Sequence, residues 1–322
     1  MRTLRFTVSR RLQTAGVAVL LGAALTACAS SASPTAATSA ATSSTGSGMA
    51  GMAGTSSASP SASAMGGMTG MTGMTGMDEP MYTGTGLSAS SGGFTLVPSA
   101  AATALQAGRT ASISFQIKDV KGMAVTSFQD DQTKLMHFYV VRADLTGFQH
   151  VHPTMAKDGT WTANLAAMAP GTYRAYASFN TDNSSGVEVA LVLSKQFTVA
   201  GTASVTPLPA ASTTAEVDGY TVTLSGDLMA GMEHTLSATI TKNGAPVTDL
   251  QPYLDTYAHL TAFHQGDMAF AHLHPQGTVN GDHGGPTLTF DAAMAASGNY
   301  RLFLQFQTGG LVHTAAFTVP VS

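Results

Sequence analysis

Residues 135–153 read LMHFYVVRADLTGFQHVHP, and residues 257–275 read YAHLTAFHQGDMAFAHLHP. The two align without a gap at an offset of 122 residues, so His137, His150 and His152 return as His259, His272 and His274. Each stretch opens with a short apolar run and closes on a His-x-His-Pro step. Runs this short, bounded by Gly and Asp, are strands joined by a turn rather than helix. In a strand, His-x-His puts both imidazoles on one face and sends Val151 or Leu273 to the other. A tight turn then folds the first histidine of each set back toward the pair. Register decides which face it shares, and a slip of one residue reverses it.

The repeat extends outward from these stretches. Gly122 and Val125-Thr126 match Gly244 and Val247-Thr248, and Phe197-Thr198-Val199 matches Phe317-Thr318-Val319. Gly171-Thr172-Tyr173-Arg174 matches Gly298-Asn299-Tyr300-Arg301, so the copies differ by loop insertions and not by rearranged order. A period near 120 residues is a domain and not a solenoid unit. Residues 110–118 alternate, with Ile113, Phe115 and Ile117 on one face, and no long stretch of helical period follows. The expected fold is all-β, two tandem immunoglobulin- or cupredoxin-like sandwiches at residues 93–201 and 215–322. Residues 202–214, with Pro207 and Pro209, are the expected linker.

The N-terminal part has another character. Arg2, Arg5, Arg10 and Arg11 precede a short apolar segment ending Leu25-Thr26-Ala27-Cys28, which looks like a bacterial lipobox. Residues 1–27 are thus an expected lipoprotein signal peptide, with Cys28 the site of an acyl (palmitate-bearing) lipid anchor on the outer face of the cell membrane. Cys28 is the single cysteine, so the folded part has no disulfide and no thiolate for a blue-copper centre. Residues 28–92 are Ala, Ser, Thr, Gly and Met with few large apolar side chains, the composition of a disordered tether. Residues 28–322 carry 10 Lys/Arg against 18 Asp/Glu, the full chain's 14 less the four leader arginines, for a net charge of −8. That balance argues against a nucleic-acid partner.

Two residue sets point to a metal. The first is histidine. Neutral imidazole binds copper, zinc and nickel well. The candidate ligands are His137, His150 and His152 in copy one and His259, His272 and His274 in copy two. Copy two adds His313, His234, Met229 and Met232, and is the expected stronger site. The second set is the tether's Met65, Met68, Met71, Met74 and Met77, three residues apart with Gly and Thr between. Thioether sulfur favours Cu(I). Copper is therefore the expected ion, with zinc the alternative. The plain reading is that the histidines are structural, satisfying buried carbonyls, and that duplication copied them. No Gly-x-Ser-x-Gly elbow, phosphate loop or His-Glu-x-x-His motif occurs, so no enzyme is expected.

The segment Leu250-Gln251-Pro252-Tyr253-Leu254, then His259-Leu260, Gly266-Asp267-Met268 and His272-Leu273-His274-Pro275, resembles a motif of bacterial secreted and lipoprotein tandem β-sandwich domains. The resemblance spans most of residues 100–320, and His137, His150, His152, His259, His272, His274 and His313 fall on its histidine positions. It implies the tandem architecture and a heavy-metal association. Asp255 stands where the pattern has glycine. Two functions follow as expectations. One is an extracytoplasmic copper-binding lipoprotein acting as chaperone, buffer or resistance factor, with a metal-transfer partner protein. The other is a surface adhesion module with structural histidines.

Overall fold

A computed structural model describes residues 84–99 and 104–322, which belong to one compact unit. Cys28 and the Met65–Met77 array lie outside the described residues. The described chain is all-β. Among these residues no helix is long and apolar enough to cross a membrane.

The first ten strands are β1 (Ser90–Ser91), β2 (Phe94–Pro98), β3 (Ala104–Gln106), β4 (Ala111–Lys118), β5 (His137–Arg142), β6 (Gln149–Val151), β7 (Thr154–Met155), β8 (Thr160–Leu165), β9 (Gly171–Asp182) and β10 (Glu188–Ala200). They form two five-stranded sheets, ordered β1-β2-β4-β8-β7 and β3-β10-β9-β5-β6. Alternation in β4 places Ile113, Phe115 and Ile117 in the core between the sheets, with Phe138, Val140 and Trp161.

The second copy has β11 (Thr214–Val217), β12 (Tyr220–Ser225), β13 (Glu233–Lys242), β14 (Ala245–Pro246), β15 (Ala258–His264), β16 (Phe270–Pro275), β17 (Thr287–Ala293), β18 (Gly298–Thr308) and β19 (Leu311–Val321). Here β16 pairs with both β15 and β17, so the two layers join into one nine-stranded sheet. Asp255 has φ of 60°, the left-handed conformation that glycine adopts most easily. The aspartate therefore keeps the turn.

The apolar runs in β5 and β15 are long because both faces of these strands are buried. Phe138 and Val140 face the first core, and Leu260 and Ala262 face the second. Tyr139 and Val141 of the first copy and Phe263 of the second face a third apolar cluster, shared between the sandwiches with Tyr176, Phe270 and Phe303.

That cluster has pseudo-twofold symmetry. Phe148 stacks on Phe303, centroids 4.2 Å apart, while its counterpart Phe270 lies 5.4 Å from Tyr176, the counterpart of Phe303. Tyr176 also donates a hydrogen bond across the seam to the Met268 carbonyl at 2.5 Å. The linker is pinned at Thr206, whose N–H donates to the Asp144 carboxylate at 2.9 Å.

Candidate metal centre

The strand pairing that buries the aromatic cluster also gathers the duplicated histidines. In β5, His137 is in phase with Tyr139 and faces the seam. In β15, His259 is in phase with Phe263 and faces the seam from the other side. Their ring centroids are 5.9 Å apart. His150 and His152 project from the end of β6, with centroids 5.2 Å and 5.0 Å from His137. His272 and His274 project from β16, and His272 stacks on His259 at 6.2 Å. Val151 and Leu273 point the other way, into the two cores.

The tightest group is His137, His150 and His152, whose ligand nitrogens all lie within 4.8 Å of one another. The hydrogen bonds around it set the tautomer of His137 and, through the Gln305 amide, that of His150. His137 Nε2 lies 2.9 Å from the Asp131 carbonyl oxygen, which can only accept, so Nε2 carries the proton. His150 Nδ1 lies 2.7 Å from Gln305 Oε1, and with the Gln305 amide in this orientation, its nitrogen 3.4 Å from Thr314 Oγ1, Nδ1 carries the proton. In neutral rings the remaining nitrogens, His137 Nδ1 and His150 Nε2, are then bare lone pairs. They face each other at 3.0 Å. Two lone pairs at that distance repel unless a cation lies against both. Nitrogens bound to one tetrahedral ion at about 2.0–2.1 Å stand roughly 3.3 Å apart.

A proton is a poor candidate for that cation. Burial lowers the pKa of His137 to about 4 and those of His152 and His259 to about 3. Burial and the neighbouring imidazoles hold His150 and His272 well below 6.5. All are neutral near pH 7, the form that binds metal. The buried Asp131 carboxylate, 3.9 Å from His137 Nε2, supplies nearby negative charge.

This arrangement fixes a pH dependence. The folded pKa of His137, about 4, is below its ordinary 6.5, so below pH 6.5 the unfolded chain binds the proton first. Stability is full above 6.5 and is lost as pH falls toward 4, with a slope of about 1.4 kcal/mol per pH unit for this one group. His152 and His259 act in the same direction, down to about 3. Thermal unfolding without metal should show a lower Tm at pH 5 than at pH 7.5. An unchanged Tm would mean that these imidazoles are hydrated.

Four residues of the expected set do not join the centre. His313 pairs with Phe306, whose ring is in the second core, whereas His259 pairs with Gln305 on the other face of β18. His313 instead bonds Asp218 at 2.7 Å and Thr308 at 2.9 Å. His234 pairs with Ala292, on the face opposite the one His274 shares with Asp291. Met229 and Met232 are exposed just ahead of β13. The compact triad belongs to the first copy, not to the histidine-richer second.

Asp131, Gln305 and Tyr139, which stacks on His150 at 4.3 Å, were not visible as site residues from the sequence. Asp131 had one signal, since residue 253 at the repeat offset begins the motif turn before His259. Gln305 had none, because its counterpart at the local offset of 127 is Ser178.

Among curated proteins none matches the chain. Several solved structures are similar to it. The Escherichia coli adhesin FdeC is 16% identical over 72% of this chain and 65% of its own, with a TM-score of 0.24. Yersinia pseudotuberculosis InvD is 17% identical over 72% and 58%, with a TM-score of 0.24. Salmonella alpha-2-macroglobulin is 13% identical over 75% and 15%, with a TM-score of 0.25. The chain thus spans less than two-thirds of each of these proteins. One family model matches it twice, at residues 92–194 and 215–322, with one histidine-bearing hairpin inside each match. The chain belongs to that family, the domain of unknown function DUF8832, and carries two copies of it.

Proposed function

We propose that this protein is a non-enzymatic, extracytoplasmic lipoprotein that binds a transition metal between its two β-sandwiches, as a chaperone, buffer or resistance factor. The observation that carries this reading is the compact, largely buried triad of His137, His150 and His152, with His137 Nδ1 and His150 Nε2 held 3.0 Å apart. An all-imidazole set suits copper, zinc or nickel, and among these Cu(II) binds most strongly. Copper is therefore the first candidate. The thioether array of Met65, Met68, Met71, Met74 and Met77 suits Cu(I) and would collect it before the folded part. The lipid at Cys28 would place both at the outer membrane face, within reach of a metal-transfer partner.

The test is a competition titration of the full chain with Cu(II) and, separately, Zn(II). It should show binding far tighter than surface histidine, reduced at least 100-fold on replacing both His150 and His152 with alanine. Binding no tighter than a surface histidine, or unmoved by that double substitution, would refute the reading.

A second reading is a surface interaction module whose histidines are structural. It is favoured by the hydrogen bonds that His137 and His150 already make to Asp131 and Gln305. If the Gln305 amide turned over, its nitrogen would donate to His150 Nδ1 and His150 would donate to His137, closing the chain with no ion. Under that reading, metal removal changes neither stability nor partner binding.

A further inference from the structure

The first-copy triad offers three imidazoles, one fewer than a closed tetrahedral site takes. His259 comes from the other sandwich and is 1% exposed, yet neither of its ring nitrogens has a hydrogen-bond partner of normal geometry. The Tyr253 and Leu254 backbone groups are its hydrogen-bonding neighbours, at geometry short of a normal bond. A fully buried imidazole bonded this weakly is costly, and such groups in native proteins have a reason. Its ring is 5.9 Å from His137 and 5.7 Å from His150, centroid to centroid, so it borders the compact triad without being one of its three members.

The neighbour of His259 across the strand pair is Gln305, the residue that holds His150 with Nε2 toward the site. At the pseudo-symmetric position Ser178 pairs with His137, and its hydroxyl is buried without a partner. The second sandwich thus orients a histidine of the first, and the first does not return the contact through Ser178.

Resting on the reading that His137, His150 and His152 hold a metal, we infer that the centre is composite: His259 of the second sandwich is the fourth ligand and Gln305 is the positioning residue, so that one ion joins the two sandwiches. The primary site is then built on the first triad, and its ion is captured only while the sandwiches are docked. His272 and His274 pack behind His259 and do not bind that ion.

Cobalt(II) is the probe, because its visible absorption reports coordination number. The full-length protein should bind one tight equivalent with the intense bands of a four-coordinate ion. His259→Ala should weaken that binding and dim the bands, as water replaces an imidazole and the coordination number rises. Gln305→Ala should weaken it roughly 10- to 100-fold. Gln305→Glu, which still accepts from His150 Nδ1, should restore affinity to wild type or better. Thermal unfolding without metal checks that each variant folds, and if His259→Ala does not, the Gln305 pair carries the test. Wild-type affinity and spectrum in both His259→Ala and Gln305→Ala would overturn the composite site while leaving a three-histidine site standing. Failure of Gln305→Glu to recover would overturn the positioning role. No cobalt binding by the wild type, or binding indifferent to His150→Ala, would instead refute the functional reading beneath it.

Discussion

Replacing His137 with alanine is expected to weaken metal binding about 100- to 1,000-fold while leaving the sandwich folded. Structural zinc sites of four ligands are worth about 10–16 kcal/mol, so one ligand accounts for roughly 3–4 kcal/mol, or two to three decades in Kd. His137 is the right residue to remove because it is central. It is fully buried, lies 5.2 Å from His150 and 5.0 Å from His152 by ring centroid, and faces His259 across the seam at 5.9 Å. Its removal also frees the Asp131 carbonyl that now receives its Nε2–H. That loss should lower the Tm of the metal-free protein modestly, because a small cavity and one lost hydrogen bond replace a repulsive lone-pair contact. A competition titration reads the first effect and thermal unfolding the second. Retained affinity would exclude His137 as a ligand.

Phe270→Ala is expected to cost about 3–5 kcal/mol and to separate the unfolding of the two sandwiches. Phe270 is the anchor of the seam. Its ring lies 5.2 Å from Tyr139, 5.4 Å from Tyr176 and 5.7 Å from Phe263, and its N–H donates to the Thr85 carbonyl at 2.8 Å. Gly86 packs beside Phe270 with φ of 63°, and a Cβ there would meet Val192 at 2.9 Å, the Phe270 Cβ at 3.2 Å and the Tyr176 ring at 3.2 Å. Truncating Phe270 leaves a cavity that a flat, strand-built surface cannot collapse to fill. It also removes the packing beside His272, whose ring is 6.5 Å away. Calorimetry of the wild type should give one transition, and of Phe270→Ala two, with metal affinity reduced as well. An unchanged single transition would show that the aromatic cluster does not couple the copies.

These two residues also mark what sequence does and does not disclose. Strand identity was readable at β4 because Ile113, Phe115 and Ile117 alternate against polar neighbours, and the duplication because His137, His150 and His152 recur at a constant offset. The double burial of β5 was written in its continuous apolar run, although what covered the second face was not. That cover is the other copy, a contact set by Phe148, Tyr176, Phe270 and Phe303, which local pattern cannot pair. His313 misled for a related reason. Its place in a strand was evident, but its register against Phe306 sends it into the second core, and one step of register separates the core face from the seam. Gln305 was silent because its role exists only across the seam.

The most direct measurement is zinc K-edge X-ray absorption on the zinc-loaded full-length protein. An imidazole-only shell of four nitrogens at about 2.0–2.1 Å is the expected result. A six-coordinate, oxygen-rich shell, or a spectrum unaltered by His137→Ala, would contradict the interdomain histidine centre.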